Sequence, residues 1–318
     1  MPTERSRTAG SEFVAPSTDW NPQMDALLPH DMAKKAEDIG VRKAEMNGLS
    51  MFTLAVLAGA FIALGAVFAT TAAAGTSGVI PYGIQRLIVG TVCSLDLILV
   101  VVGGAELFTG NSLVVMVWAS RRISLAAPLR NWAIVFAGNF VGSVGIAVLV
   151  YLSGHHEFGF GSVGLTALKI AQSKLHSGFL QAVCLGILCN LLVCLAVWLT
   201  FSARTTTDRI LAIVPPIACF VAAGFEHSVA NMYFVPVAWL IQSGGSDTFW
   251  YAAGSSPADF AGITWSAFLL KNLLPVTIGN VIGGGVLVGA VYWFIYLRVD
   301  RAALQQPAAG SESDQPLT

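Results

Sequence analysis

Two apolar runs, residues 84–120 and 209–242, are each far longer than one straight membrane helix can be. At 1.5 Å per residue either would measure roughly 50 Å or more, against a bilayer core near 30 Å. Each carries polar residues near its middle, GGAELFTGN (103–111) in one and GFEHSVAN (224–231) in the other. A break at those points removes the excess length. The broken backbone must then line a cavity, because bare N–H and C=O groups facing lipid are not viable. Four more apolar runs, at about 50–74, 131–153, 177–202 and 264–297, have ordinary spanning length. Only 11% of the residues are charged and 55% are hydrophobic, whereas a soluble domain carries about 25% charged residues. The expected fold is an all-α polytopic membrane protein with six transmembrane helices, two of them broken.

Lysine and arginine set the expected orientation. Lys34, Lys35, Arg42 and Lys43 flank the first run, Arg121, Arg122 and Arg130 follow the second, and Arg204 and Arg209 follow the fourth. Arg298 and Arg301 follow the last, while the intervening links are poorer in Lys and Arg. By the positive-inside rule both termini lie on the cytoplasmic side of a cell membrane. Residues 1–31 read as a flexible cytoplasmic tail without a signal peptide, and 32–46 as an amphipathic interfacial helix. Residues 47–300 form the six-helix transmembrane domain and 301–318 a second flexible tail. A net charge of −1 offers no basic face for nucleic acid. Cys93, Cys184, Cys189, Cys194 and Cys219 all lie in apolar runs without a CxxC pair, which predicts buried, inert thiols.

The two breaks resemble each other. ELFTGN (106–111) and EHSVAN (226–231) both place Glu and Asn five apart. The runs that follow also match: RNWAIVFAGNFVG (130–142) aligns with KNLLPVTIGNVIG (271–283), with base, Asn, Gly-Asn and Gly at the same spacing. Three spans separate the copies, so they enter the membrane from opposite sides. That is an inverted repeat, with halves at about 47–155 and 165–300, and it places a shared site where the halves meet. Glycines at 138, 142, 145, 279, 283–285 and 289 suit close helix packing.

Glu226 and His227 are ionisable groups inside a span, where such residues usually mark a pathway; the plain alternative is a structural polar pair. Thr109 and Asn280 fall in the repeated elements, with helix capping as their plain reading. Lys174, before the fourth span, has the look of an ordinary snorkelling lysine. His155, His156 and Glu157 resemble metal ligands, but a polar external loop explains them and no third cluster completes a site, so neither metal nor cofactor is expected. Leu97, Phe108 and Phe220 sit near the breaks, and spacing does not separate constriction residues from ordinary core.

AELFTGN (105–111), AVCLGILCNLLVCLAVWL (182–199), GFEHSVANMYF (224–234) and NLLPVTIGNVIGGG (272–285) resemble the formate/nitrite transporter family, and within it the formate channels, over about residues 25–300. The resemblance implies an aquaporin-like protomer with its own pore, assembled as a homopentamer. It implies that Leu97, Leu107 and Phe108 form a cytoplasmic slit, with Thr109 on the loop that gates it. His227 would be the central pore histidine and Phe220 the external constriction. Asn280 would be a hydrogen-bonding partner, with Lys174, Asn190 and Glu226 as polar surroundings. Two positions depart from the family. Asp96 stands beside the slit where formate channels carry a small residue, and Cys93 stands where a bulky aromatic is usual, which predicts a wider, more acidic cytoplasmic side.

The expected function is a passive or proton-linked pathway for small monovalent anions, formate first, with nitrite, hydrosulfide, acetate or lactate as alternatives. A neutral-solute conduit is a second class, disfavoured because His227 and Lys174 cost free energy if no charge is handled. An intramembrane enzyme built on Glu226 and His227 lacks a nucleophile pair or metal triad. A bare carboxylate crossing the membrane centre meets a barrier between about 3 and above 10 kcal/mol, by comparison with charged side chains. Protonating a carboxyl of pKa near 4 at pH 7 costs roughly 4 kcal/mol. At the upper end of that range the protonated route wins, and His227 is the expected proton donor. The half-helix expected to start near Ala230 points its positive end at the anion, and Glu226 and Asn231 are expected to satisfy the backbone of the break.

Overall fold

The computed structural model describes residues 26–298, so most of the first expected tail, all of the second, and Arg301 lie outside the described residues. No strand occurs among the described residues. Among the described residues six helices are long and apolar enough to cross a membrane. A preceding helix, α1 (Pro29–Glu45), is separated from the first span, α2 (Gly48–Ala73), by a two-residue link whose Asn47 side chain accepts the Leu49 N–H. The second span joins α3 (Tyr82–Cys93) to α4 (Leu95–Gly103) with a kink at Ser94. After the first break come a 3-10 turn, Gly110–Val114, and the short α5 (Val115–Ala119).

The third span is α6 (Ala126–Leu152), followed by α7 (Ser162–Leu175) and the fourth span, α8 (Phe179–Ser202). The fifth span is α9 (Thr206–Ala223), opened by a capping box between Thr205 and Asp208. The second break follows it, and α10 (Ser228–Gly244) continues the run. Two short helical segments, α11 (Asp247–Ala253) and Pro257–Phe260, lead to the last span at residues 265–297. That span alternates α-helical and π-helical stretches, the latter over Phe268–Leu273, Ile282–Ala290 and Trp293–Leu297.

Both breaks fall where the excess length required them, and both are closed by the same device. Gly104 (φ 79°) and Gly224 (φ 80°) are left-handed C-caps of α4 and α9. Only a residue without Cβ takes that conformation freely. The segment at 162–175, expected as part of the link between the third and fourth spans, is a helix. It occupies in the second half the place that α1 has in the first, so the repeat takes in both helices.

The halves are held by glycine contacts that repeat as well. A Cβ on Gly142 would collide with the Val56 carbonyl of α2, and one on Gly283 with the Ile187 carbonyl of α8. Helix backbones thus touch directly in both pairs, which is how membrane helices associate when no hydrophobic force drives them together. Gly145 does not take part: a Cβ there would meet nothing within 4 Å. The cysteines also divide against expectation. Cys93, Cys189 and Cys194 are buried, whereas Cys184 and Cys219 lie on helix faces turned away from the bundle and are exposed; all five are free thiols.

Candidate functional site

Each break is pinned by one asparagine from the following glycine-rich span. Asn139 Oδ1 accepts the Phe108 N–H at 2.9 Å, and its Nδ2 donates to the Glu106 and Ala55 carbonyls at 3.0 and 2.8 Å. Asn280 Oδ1 accepts the Ser228 N–H at 2.9 Å, and its Nδ2 donates to the Glu226 and Gly186 carbonyls at 3.0 and 2.8 Å. Buried backbone groups that a helix would have paired are thereby satisfied. The expectation that Glu226 and Asn231 serve this purpose is corrected: their side chains bond each other, and Asn280 serves the backbone of the break.

Behind each break sits a copy of the same charged cluster. Lys43 Nζ lies 2.8 Å from Glu106 Oε1, Asn111 Nδ2 donates to Glu106 Oε2 at 2.8 Å, and Asn111 also donates to Asn131 at 2.9 Å. In the other half, Lys174 Nζ lies 3.0 Å from Glu226 Oε1, Asn231 donates to Glu226 Oε2 at 2.7 Å, and Asn231 donates to Asn272 at 2.7 Å. Asn131 and Asn272 close the circuits on the Lys43 and Lys174 carbonyls. Lysine, glutamate and two asparagines thus form each buried cluster, the arrangement a charged pair needs when taken out of water.

Between Glu and Asn the two breaks differ in sequence, and the site lies among those differing positions. Leu107 of the first break corresponds to His227 of the second. His227 Nδ1 accepts the Ala230 N–H at 3.1 Å, so that nitrogen carries no proton. The neutral ring's proton is therefore on Nε2, which lies 2.9 Å from Thr109 Oγ1. Thr109 accepts this bond and keeps its own hydroxyl hydrogen to donate. His227 and Thr109 are both buried, and Phe220 lies beside the imidazole with ring centroids 6.0 Å apart. Asn190 braces the junction from behind, donating to the Thr109 and Asn280 carbonyls at 3.3 and 2.6 Å.

A cavity approaches this junction from either side. The one beneath α1, of about 270 Å³, is lined by Leu97, Leu107, Lys43 and Glu106 among others. The one beneath α7, of about 500 Å³, is lined by His227, Phe220, Lys174 and Glu226 among others. They share no lining residue, so the path is pinched between them. α10 begins at Ser228, two residues before the expected start, with His227 as its cap.

Two residues stand elsewhere than expected. Phe108 lines neither cavity: its ring packs edge-on to Phe136 and Trp132, at 5.0 and 6.4 Å, because Asn139 turns the break there toward α6. Asp96, expected beside the slit with Leu97, lines the α7-side cavity together with Cys93. Neighbouring helix residues point about 100° apart, which sends Leu97 to one cavity and Asp96 to the other. The acidic departure therefore belongs to the α7 side. Lys43, Asn111, Asn131 and Asn272 were not singled out as site residues, although the aligned Asn positions in the two repeats already marked three of them.

The family model for formate/nitrite transporters matches residues 30–294. Formate channel FocA of Escherichia coli strain K12 is 49% identical over 274 residues, covering 86% of this chain and 96% of the relative. Formate channel FocA of Haemophilus influenzae is 40% identical over 264 residues, covering 83% and 93%. A solved pentameric formate channel with formate bound superposes with a TM-score of 0.74 at 41% identity, covering 79% of this chain and 98% of that one. A solved ion channel of the same family superposes with a TM-score of 0.69 at 28% identity, covering 83% and 98%. Match to the family model over nearly the whole described region, joined to these identities, means that the chain belongs to the formate/nitrite transporter family.

Proposed function

We propose that this chain forms a homopentamer in which each protomer conducts formate through its own pore. The observation that carries the reading is the junction of His227 and Thr109, two hydrogen-bond donors to the oxygens of formate once their mutual bond opens, set between two cavities that each contain a lysine. Relatives named as formate channels and a related pentameric structure with formate bound support the substrate and the assembly. With both termini cytoplasmic, the α1-side cavity is the inner vestibule and the α7-side cavity the outer one. Residues 47–300 supply the pore, with α1 and α7 roofing its two mouths.

An incoming anion is attracted by Lys174 or Lys43 and by the amide end of α10. At the pinch, His227 Nε2–H and the Thr109 hydroxyl replace water around its oxygens. Leu107 and Leu97 on one side and Phe220 on the other keep the passage narrow and dry. Asn280, Asn190 and Glu226 hold the break in shape. Leaving one buried oxygen without its hydrogen bond costs about 1–3 kcal/mol, so Thr109→Val is expected to slow formate uptake by proteoliposomes about tenfold. Uptake at the native rate would show that the anion does not meet Thr109. Native mass spectrometry in detergent is expected to give pentamers; monomers or trimers alone would contradict the assembly.

A further inference from the structure

His227 as built has a hydrogen to share but no acidic proton to give. Its Nδ1 is held by the Ala230 amide, and a neutral imidazole that lost its Nε2 proton would become an anion. If formate crosses as the neutral acid, another group must supply the proton. On the α7 side, Lys174 and Glu226 are engaged with each other, Nζ lying 3.0 Å from Oε1. Arg86 is engaged by the Val221 and Ala222 carbonyls at the end of α9. Lys169 stands on α7 in the same lining. Lys169 and Tyr82 of that lining are exposed, so the buried groups left are Cys93 and the carboxyl of Asp96.

Asp96 is 3% exposed and lines the same cavity as His227 and Lys174. Its Oδ1 accepts the Leu97 N–H, and Cys93 Sγ lies 3.9 Å from Oδ2. On the α2 side Gly65 faces it, so no side chain there offers a countercharge. A carboxyl beside an anion path with only a thiol at its second oxygen has an unused place for a proton. Where formate comes up beside the Asp96 carboxyl, two like charges repel, and one proton shared between them removes the repulsion.

We propose that Asp96 is the proton-exchanging residue of the α7-side half of the path. Formate enters beside the Asp96 carboxylic acid; the Asp96 O–H bond breaks and an O–H bond forms on formate, giving formic acid and the Asp96 carboxylate. The neutral acid passes His227 and Thr109, and hydronium from the α7-side solution reprotonates Asp96. One formate and one proton cross together, and the reverse sequence serves efflux.

This inference rests on formate being the substrate, and the test keeps the two apart. Formate uptake is followed in proteoliposomes of the native protein, Asp96→Asn and Asp96→Glu, with equal pH on both sides. Native flux is expected to rise at least about threefold between about pH 8 and about pH 6, because the acid form loads the substrate. Asp96→Asn, which is isosteric but holds no exchangeable acid, is expected to vary by less than about 1.5-fold over the same range, and Asp96→Glu to restore the slope. A native pH profile in a conducting Asp96→Asn variant overturns the proposal alone, as does an equal loss of flux at every pH in both variants. Absence of formate flux in the native vesicles would overturn the reading of the pore, and this one with it.

Discussion

His227→Phe is expected to abolish formate flux in reconstituted vesicles while leaving the assembly intact. The expectation follows from what the ring does at the pinch. Phenylalanine removes the Nε2–H donor that faces Thr109 and fills the gap with hydrocarbon, so the oxygens of formate meet an apolar constriction without that donor. The cost to folding is small, because the substitution also removes the acceptor for the Ala230 amide, a helix cap worth about 0.5–2 kcal/mol. His227→Asn separates the roles. Asparagine caps the helix but is shorter, so it is expected to keep an open pore with weakened selectivity. Vesicle uptake beside size-exclusion chromatography of each variant checks both halves of the statement; formate uptake at the native rate by His227→Phe would make the histidine structural.

Lys174→Met is expected to strip the protein of stability by about 3 kcal/mol, because it leaves the Glu226 carboxylate buried without its cation. Asn231 and Asn272 still donate to that carboxylate, which keeps the loss at the lower end for a broken buried pair. Adding Glu226→Gln removes the orphaned charge and is expected to recover most of the thermal stability measured in detergent. Conduction is not expected to recover with it, since the cation that draws the anion toward the α7-side cavity is still missing. A double variant that regains both stability and native flux would show that the pair is scaffold alone.

The breaks and their asparagines were legible in the sequence for a physical reason. A helix interrupted inside lipid must spend a polar side chain on its bare backbone, and two copies of that solution, Asn139 and Asn280, leave the same spacing twice. Other contacts left weaker traces. Lys43 meets Glu106 across 63 residues and from a separate helix, and nothing in its neighbourhood distinguishes it from Lys34 or Lys35 as a flanking base. The helix at 162–175 is short and mixed in polarity, so no spanning pattern marks it. Phe108 and Asp96 show the limit most clearly: both sit beside the path in sequence, yet the turn imposed by Asn139 and the kink at Ser94 decide which way each side chain faces. The tautomer of His227 depended on the break as well, since only the position of the Ala230 amide assigns the ring's proton.

The central claim is that formate meets two hydrogen-bond donors at a dry pinch inside each protomer. Parallel uptake by one batch of proteoliposomes tests it most directly, with formate, acetate and glycerol offered at the same concentration and protein-free vesicles as the baseline. Formate is expected to enter well above the baseline and faster than acetate, whose methyl group must pass the narrow gap between Leu107 and Phe220, while glycerol stays at the baseline. Glycerol uptake without formate uptake would contradict the account, since the pore would then be a neutral-solute conduit and the buried donors at His227 and Thr109 would have no carboxyl oxygens to meet.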